Sequence, residues 1–512
     1  DVRGRFTLRH SAMGFHRALA GLQRRDPGKL IEDLKLRPVG KEAIGTPARG
    51  AASTVMSRVS GLTARRVQTL GRLAMELGAA WEQRGLLDAS RSTTAELRLF
   101  LRHRSRQVSR LSGGMARKLA SKRLASQRRP SGSQDEAVLF VAYVEGQLGL
   151  GQSSRDLALA MAAAAVPFRI HPVSLGIENR LSGPYMSERY DTRRSYGINL
   201  LYLTPDELPN VVADIGHGRF ARGYNILRTY WELSEAPAIW ADKLDMIDEL
   251  WVPNRFVAES FRGIFDGPVT VIPPCVTMPA WDAVGRDRFG LDADRFYFLF
   301  SFDYFSFPNR KNPLAVVRAF RKAFPDQADR VGLIVKSSGA AEHYPEIKEV
   351  LRAAARYDGR IAIIDEHLSR AELLSLMKAA DCYVSMHRAE GFGLGMAEAM
   401  AMEKPVIGTD YSGNTDFLNQ DTGYPLPYSL TKLGPRDYVN YVKGQVWAEP
   451  SEAACADAMV RVVGNRAEAA AKARAGRLFV EARYAPANVG AVVAERLRAI
   501  RDAHRKGAED PA

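Results

Sequence analysis

The stretch that decides the fold is His387-Arg388-Ala389-Glu390-Gly391-Phe392-Gly393-Leu394-Gly395-Met396-Ala397-Glu398-Ala399-Met400-Ala401. An apolar run, Asp381 to Met386, precedes it and reads as a buried parallel strand. Small, helix-forming residues from Met396 to Met402 follow, and a second strand is predicted at Pro405 to Gly408. The Gly-x-Gly turn therefore lies at the carboxyl end of a strand and opens a helix, the place where open α/β sheets bind ligands. Glycine lets the backbone approach a ligand closely, and the first N–H groups of a helix point outward with the positive end of its dipole. Such a turn suits a phosphate. Glu390 stands just before it and Glu398 about one helical turn inside. A carboxylate repels a phosphate, so this pair suits the hydroxyls of a sugar or ribose.

Working outward, strands alternate with helices. After the turn region come the loop Tyr411-Ser412-Gly413-Asn414-Thr415-Asp416 and, beyond Trp447-Ala448-Glu449-Pro450, helices near Glu452–Val463, Arg466–Arg483 and Asn488–Ala503. Before it, strands are predicted at Phe296–Phe302, Val331–Lys336 and Ile361–Asp365, with helices at Pro313–Phe324, Ile347–Arg356 and Arg370–Ala379. The same alternation runs from Ala137–Val144 through Phe168–His171, Ile198–Leu203, Tyr224–Thr229, Glu249–Val252 and Val269–Ile272. Helical stretches there are predicted to pass through Met161 and at Asp206–Ile215, Ala238–Asp245 and Phe256–Phe265. Such alternation means two doubly wound parallel sheets.

Strand, Glu-Gly-Phe-Gly, helix and a second glutamate eight positions on resembles the Glu-x7-Glu signature of family-four retaining glycosyltransferases of bacterial polysaccharide biosynthesis. The resemblance covers roughly residues 136–505. It implies the GT-B fold, two Rossmann-like domains facing a cleft. The expected division is 1–134, a basic, mostly helical N-terminal extension; 135–280, an acceptor domain; 281–464, a sugar-nucleotide donor domain; and 465–512, C-terminal helices crossing back to the first Rossmann-like domain.

The family places an Arg and then, five or six residues on, a Lys after the first strand of the donor domain, where they neutralise the donor diphosphate. Lys311 matches the Lys, whereas the Arg position falls on Phe305 or Ser306. Arg310, next to Lys311, and Lys336, at the end of the following strand, are the substitutes at hand. The resemblance thus assigns Glu390, Lys311 and Arg310 to catalysis. It gives donor binding to Gly391, Phe392, Gly393, Leu394, Glu398, Lys336 and His387, and to Gly149 and Gly151 of the first half. Ser154 stands where a third glycine of a dinucleotide fingerprint would be, which argues against an oxidoreductase. Glu232, in Tyr230-Trp231-Glu232, and His217 are candidate acceptor or sugar contacts, although a plain loop explains either. Asp292-Ala293-Asp294 is a literal Asp-x-Asp metal motif without a carboxylate partner nearby, and no metal site is expected.

Charge divides the chain. Residues 1–134 carry 28 Lys/Arg and 9 Asp/Glu, a net of +19, while the remainder carries 72 − 28 = 44 basic and 58 − 9 = 49 acidic residues, a net of −5. Helical stripes are read at 67–87 and 97–124. This segment could lie on an anionic membrane surface, where each Lys or Arg adds about 1 kcal/mol, or be a solvated helical hairpin packed on the catalytic part. Without interleaved aromatics or a motif it does not suit nucleic acid. No apolar run approaches the roughly 18 residues of a membrane span, and no signal peptide is visible. The chain opens on Asp1 rather than Met, as a piece of a longer protein would. Cys275, Cys382 and Cys455 lack metal or redox spacing, Cys382 and Cys455 reading as core, which suits a reducing cytoplasmic setting, at most peripheral at the inner membrane face.

The expectation is a retaining, metal-independent hexosyltransferase without cofactor. A nucleoside-diphosphate sugar is the donor and a saccharide or lipid-linked glycan the acceptor. The rivals are a non-catalytic glycan- or membrane-binding protein on a degenerate transferase scaffold, and a sugar-nucleotide epimerase of the same fold.

Overall fold

The computed structural model describes residues 136–509 apart from 178–180, 340–342 and 436. The expectations for residues 1–134, including both helical stripes, lie outside the described residues.

The first half is a six-stranded parallel sheet. Its strands are β1 (Val138–Ala142), β2 (Phe168–Pro172), β3 (Ile198–Tyr202), β4 (Tyr224–Arg228), β5 (Glu249–Val252) and β6 (Val269–Val271), in the order β2-β1-β3-β4-β5-β6. The second half holds β7 (Phe296–Asp303), β8 (Val331–Ser338), β9 (Ile361–Asp365), β10 (Cys382–Ser385), β11 (Val406–Thr409) and β12 (Tyr424–Leu426), in the order β12-β11-β10-β7-β8-β9. Strands β1, β3, β10 and β11 are buried at every position, because helices cover both faces of a parallel sheet. That is why they read as unbroken apolar runs.

The principal helices are α1 (Gly149–Ala163), α2 (Leu208–Ile215), α3 (Arg255–Ser260), α4 (Pro313–Ala323), α5 (Pro345–Tyr357), α6 (Arg370–Ala379), α7 (Leu394–Ala401), α8 (Glu452–Gly464), α9 (Arg466–Tyr484) and α10 (Pro486–Glu509). Boundaries fall within a few residues of the pattern-based reading, with 238–244 formed by a 3-10 turn running into a short α-helix. The exceptions are 256–265, where the helix shortens to 255–260, and the last helix, which runs on to Glu509. No helix among the described residues is long and apolar enough to cross a membrane. All three cysteines are buried.

In the second sheet the strand order reverses between β7 and β10, and ligands of open α/β sheets bind at such a switch point. Lys311 follows β7 and Glu390 follows β10, so topology brings two residues 79 positions apart to one crevice.

One region escaped the sequence reading. Residues 424–450 hold β12 and an antiparallel hairpin, β13 (Tyr428–Lys432) with β14 (Val446–Pro450). β13 is largely exposed, so it lacks the apolar run that marks the other strands. The intervening residues 433–445 leave the second half for the first: Leu433, Tyr438 and Trp447 belong to the same core as Leu203, Val212 and Trp231. The chain also crosses between the halves twice side by side, where Val276 N–H donates to the Tyr484 carbonyl at 2.9 Å. Beyond that crossing α10 packs on α1, and Arg496 grips the buried Glu249 of β5 through Nε and Nη2 at 2.8 and 2.9 Å.

Candidate active site

Glu390 is 8% exposed and sits between two cations. Lys311 Nζ lies 2.5 Å from its Oε1 and Arg310 Nη1 3.1 Å from its Oε2. Burial alone would raise the carboxyl pKa, but Lys311 and Arg310 outweigh it and hold the pKa at about 2. The same burial pulls the Lys311 ammonium below its usual value, whereas Arg310 stays charged because Glu390 and Glu232 outweigh its desolvation. Arg310 also donates to the Ala389 carbonyl at 2.7 Å, and Arg388 N–H donates to the Arg310 carbonyl, also at 2.7 Å. The loop after β7 is thereby tied to the loop after β10. Asn312, at φ +58°, turns the chain from the short 308–311 helix into α4.

The Gly-x-Gly turn has a local reason for each glycine. Gly393 adopts φ +91°, a left-handed backbone, and α7 starts at the next residue. A β-carbon on Gly391 would press on the Trp231 carbonyl and the Tyr230 side chain of the first half, at 3.3 and 3.4 Å. Phe392 turns inward against Phe417 and Tyr484, so its side chain packs the core and only its backbone is offered to a ligand. Glu398, one turn into α7, is buried and accepts from Arg370 Nη2 at 2.6 Å.

His387 is fully buried, and burial lowers its pKa, leaving a neutral ring. Its Nε2 lies 2.9 Å from Asn414 Oδ1 and its Nδ1 3.0 Å from Ser385 Oγ. With the amide oxygen as acceptor, Nε2 carries the proton and Nδ1 accepts from the serine. His387 thus braces the loops after β10 and β11. Ser412 Oγ accepts from Glu390 N–H at 2.8 Å, and the Glu390 carbonyl accepts from Gly413 N–H at 2.9 Å.

The remaining candidates separate. Lys336 is buried, and its ammonium donates to the Ser337 and Glu366 carbonyls at 2.7 and 3.0 Å, which fixes the turn leading to Arg370. Gly149 opens α1 with free space around it, while a β-carbon on Gly151 would strike the Gly146 carbonyl. His217 is exposed at the start of a short helix. Glu232 lies close to the crevice, 3.7 Å from Arg310 Nη2. Asp294 and Asp292 stand by Arg330, at 3.4 and 3.8 Å.

Sequence reasoning passed over Arg370, Asn254 and Asp156. Asn254 caps α3, its Oδ1 accepting from Val257 N–H at 2.9 Å. Its Nδ2 donates across the cleft to the Gly391 carbonyl at 2.7 Å and the Gly413 carbonyl at 3.2 Å. An Asn after a strand and before a helix signals a cap; the second contact has no sequence mark. Asp156 of α1 accepts from Thr277 Oγ1 at 2.5 Å and Gln152 Nε2 at 2.9 Å, and its Oδ2 is buried without a partner. Burial, then the Glu398 charge, push its pKa up to about 6 against the partners' pull.

Residues 304–465 match the family model described as glycosyl transferases group 1. Sucrose-phosphate synthase from Thermosynechococcus elongatus superposes with a TM-score of 0.51 at 17% identity, over 72% of this chain and 100% of that one. HepE of Anabaena, solved in complex with UDP and glucose, superposes with a TM-score of 0.50 at 15% identity, over 71% of this chain and 100% of that one. No curated protein matches the sequence. The described residues thus have the GT-B fold, and within it residues 304–465 are similar to the glycosyl transferases of group 1.

Proposed function

We propose that this protein is a retaining, metal-independent glycosyltransferase that moves a hexose from a nucleoside-diphosphate sugar to a saccharide or lipid-linked glycan. The observation that carries the reading is the buried Glu390 between Lys311 and Arg310 at the switch point, with Glu398 one turn into the adjoining helix. In this reading the diphosphate lies along the backbone of 391–394 and draws Lys311 to itself as negative charge grows on the leaving oxygen. Arg310 keeps Glu390 anionic and in place to accept from the hydroxyls of the sugar. Glu398 accepts from the ribose. The acceptor hydroxyl attacks from the face that the diphosphate leaves, and its proton passes to the departing phosphate, so no protein base is required. Contact between the halves excludes water and limits donor hydrolysis.

UDP-sugars head the donor panel because HepE, which shares the fold, was solved with UDP and glucose. The test is a binding screen of nucleoside-diphosphate sugars against the native chain, Lys311→Ala and Glu398→Ala. One donor should bind saturably and both variants should weaken it about tenfold or more, the loss of one charged hydrogen bond. Absence of binding across the panel in a folded native chain would favour the scaffold reading. A new sugar nucleotide formed without acceptor would point to the epimerase.

A further inference from the structure

Glu232 belongs to the first half, yet second-half groups approach both of its carboxylate oxygens. Tyr438 Oη donates to Oε2 at 2.6 Å, and Arg310 Nη2 stands 3.7 Å from Oε1. Tyr438 is carried there by residues 433–445, and its ring packs on Trp231 at 5.5 Å and Phe307 at 4.9 Å between centroids. The Arg310 guanidinium also lies 5.7 Å from the Tyr438 ring centroid. Arg310 is thus enclosed by Glu390 on one side and by Glu232 and Tyr438 on the other. Two cations and two carboxylates make this group neutral; Arg310 and Glu390 are its buried members, costly to bury without partners, while Lys311 and Glu232 are half-buried at its edges. When a diphosphate draws Lys311 away, Arg310 alone remains to hold Glu390. Its own position then depends on the anion supplied by the opposite half.

We propose that Glu232, oriented by Tyr438, is a positioning residue that acts on Glu390 through Arg310 and completes the site only when the two halves are together. It touches no substrate. This rests on the reading of Glu390 as a donor-sugar contact, and it replaces a direct sugar contact by Glu232 with an electrostatic one through the protein.

The test uses the full chain and two conservative variants, Glu232→Gln and Tyr438→Phe, which keep shape and remove the charge or the hydroxyl. In the donor-free protein, Glu232→Gln should speed hydrogen exchange at amides 388–394 about fivefold or more, with global melting little changed. That readout does not depend on turnover. With a donor that the native chain uses, Glu232→Gln should lower kcat about tenfold and leave donor and acceptor KM within about twofold. The double variant should be no worse than Glu232→Gln alone, because Tyr438 acts only through Glu232. Unchanged exchange at 388–394, a rise in KM matching the loss in kcat/KM, or additive losses would each overturn the proposal. A native chain that turns over no donor would defeat the functional reading, while the exchange result would still decide whether Glu232 governs the Glu390 loop.

Discussion

At the scale of the residue, the balance between burial and pairing with cations sets the behaviour of the carboxylates around the cleft. Glu390 is buried and doubly paired, so its folded pKa lies near 2, below the ordinary carboxylate value. Its pairing favours the folded state above that ordinary value and is lost as pH falls toward 2. Asp156 is the opposite case. It is 1% exposed with one oxygen unpartnered, and its folded pKa is about 6. A raised carboxyl pKa means that the folded chain binds the proton more tightly, so stability falls as pH rises from the unfolded value toward 6 and levels off above it. The substitution Asp156→Asn removes the charge and keeps an amide oxygen that can still accept from Thr277 and Gln152. It is therefore expected to stabilise by roughly 1–3 kcal/mol at pH 7.5 and to do nothing near pH 4. Thermal melts at the two pH values measure it; equal destabilisation at both would sink the account.

At the scale of the element, the two glycines of the first strand–helix turn looked alike in sequence, and their surroundings separate them. Gly149 stands at the open start of α1, while Gly151 lies where α1 passes over the Gly146 carbonyl. Arg155 of the same helix ties down this turn, donating from Nη1 to the Val144 and Gly146 carbonyls, both at 3.0 Å. Gly151→Ala must push the helix off that turn and is expected to cost about 1–3 kcal/mol. Gly149→Ala fills free space at a helical position and should be neutral or stabilise by up to about 1 kcal/mol. Denaturant titration of both variants reads the difference, and like signs would contradict it. Spacing alone could not sort the pair, because a glycine kept for close packing and one at an open helix start share the same letter.

At the scale of the molecule, the halves meet through buried polar contacts as well as apolar ones. Asn254 joins the first half to both loops that carry the Glu390 turn. Gln445 Nε2 donates to the Glu235 carbonyl at 3.2 Å, and Asn440 Nδ2 to Asp206 Oδ2 at 3.2 Å. Asn254→Asp retains the cap acceptor of α3 and sets a carboxylate against two carbonyls. A buried donor lost and a charge left unpaired should cost about 3 kcal/mol or more. The halves are expected to part, seen as a larger radius of gyration in solution scattering at pH 8. Acidification to pH 4 should partly reverse this by protonating the new side chain. An unchanged radius and melting point at pH 8 would show that the contact contributes little.

What the sequence determined by itself was the local layer. Unbroken apolar runs marked the strands, because a strand covered on both faces admits few polar residues. Helical periodicity marked most of the helices between them, and Glu390-Gly391-Phe392-Gly393 followed by Glu398 marked the turn where a strand hands over to a helix. What only the tertiary structure decided was which of these residues meet. Arg310 with Glu390, Arg370 with Glu398, Asn254 with Gly391, and Tyr438 with Glu232 are separated by 28 to 206 positions. Such pairs obey no period, because strand order and the return of 433–445 to the first half bring them together. The charge of each residue can be read in its letter; the partner that sets its pKa and its work is fixed only by the fold.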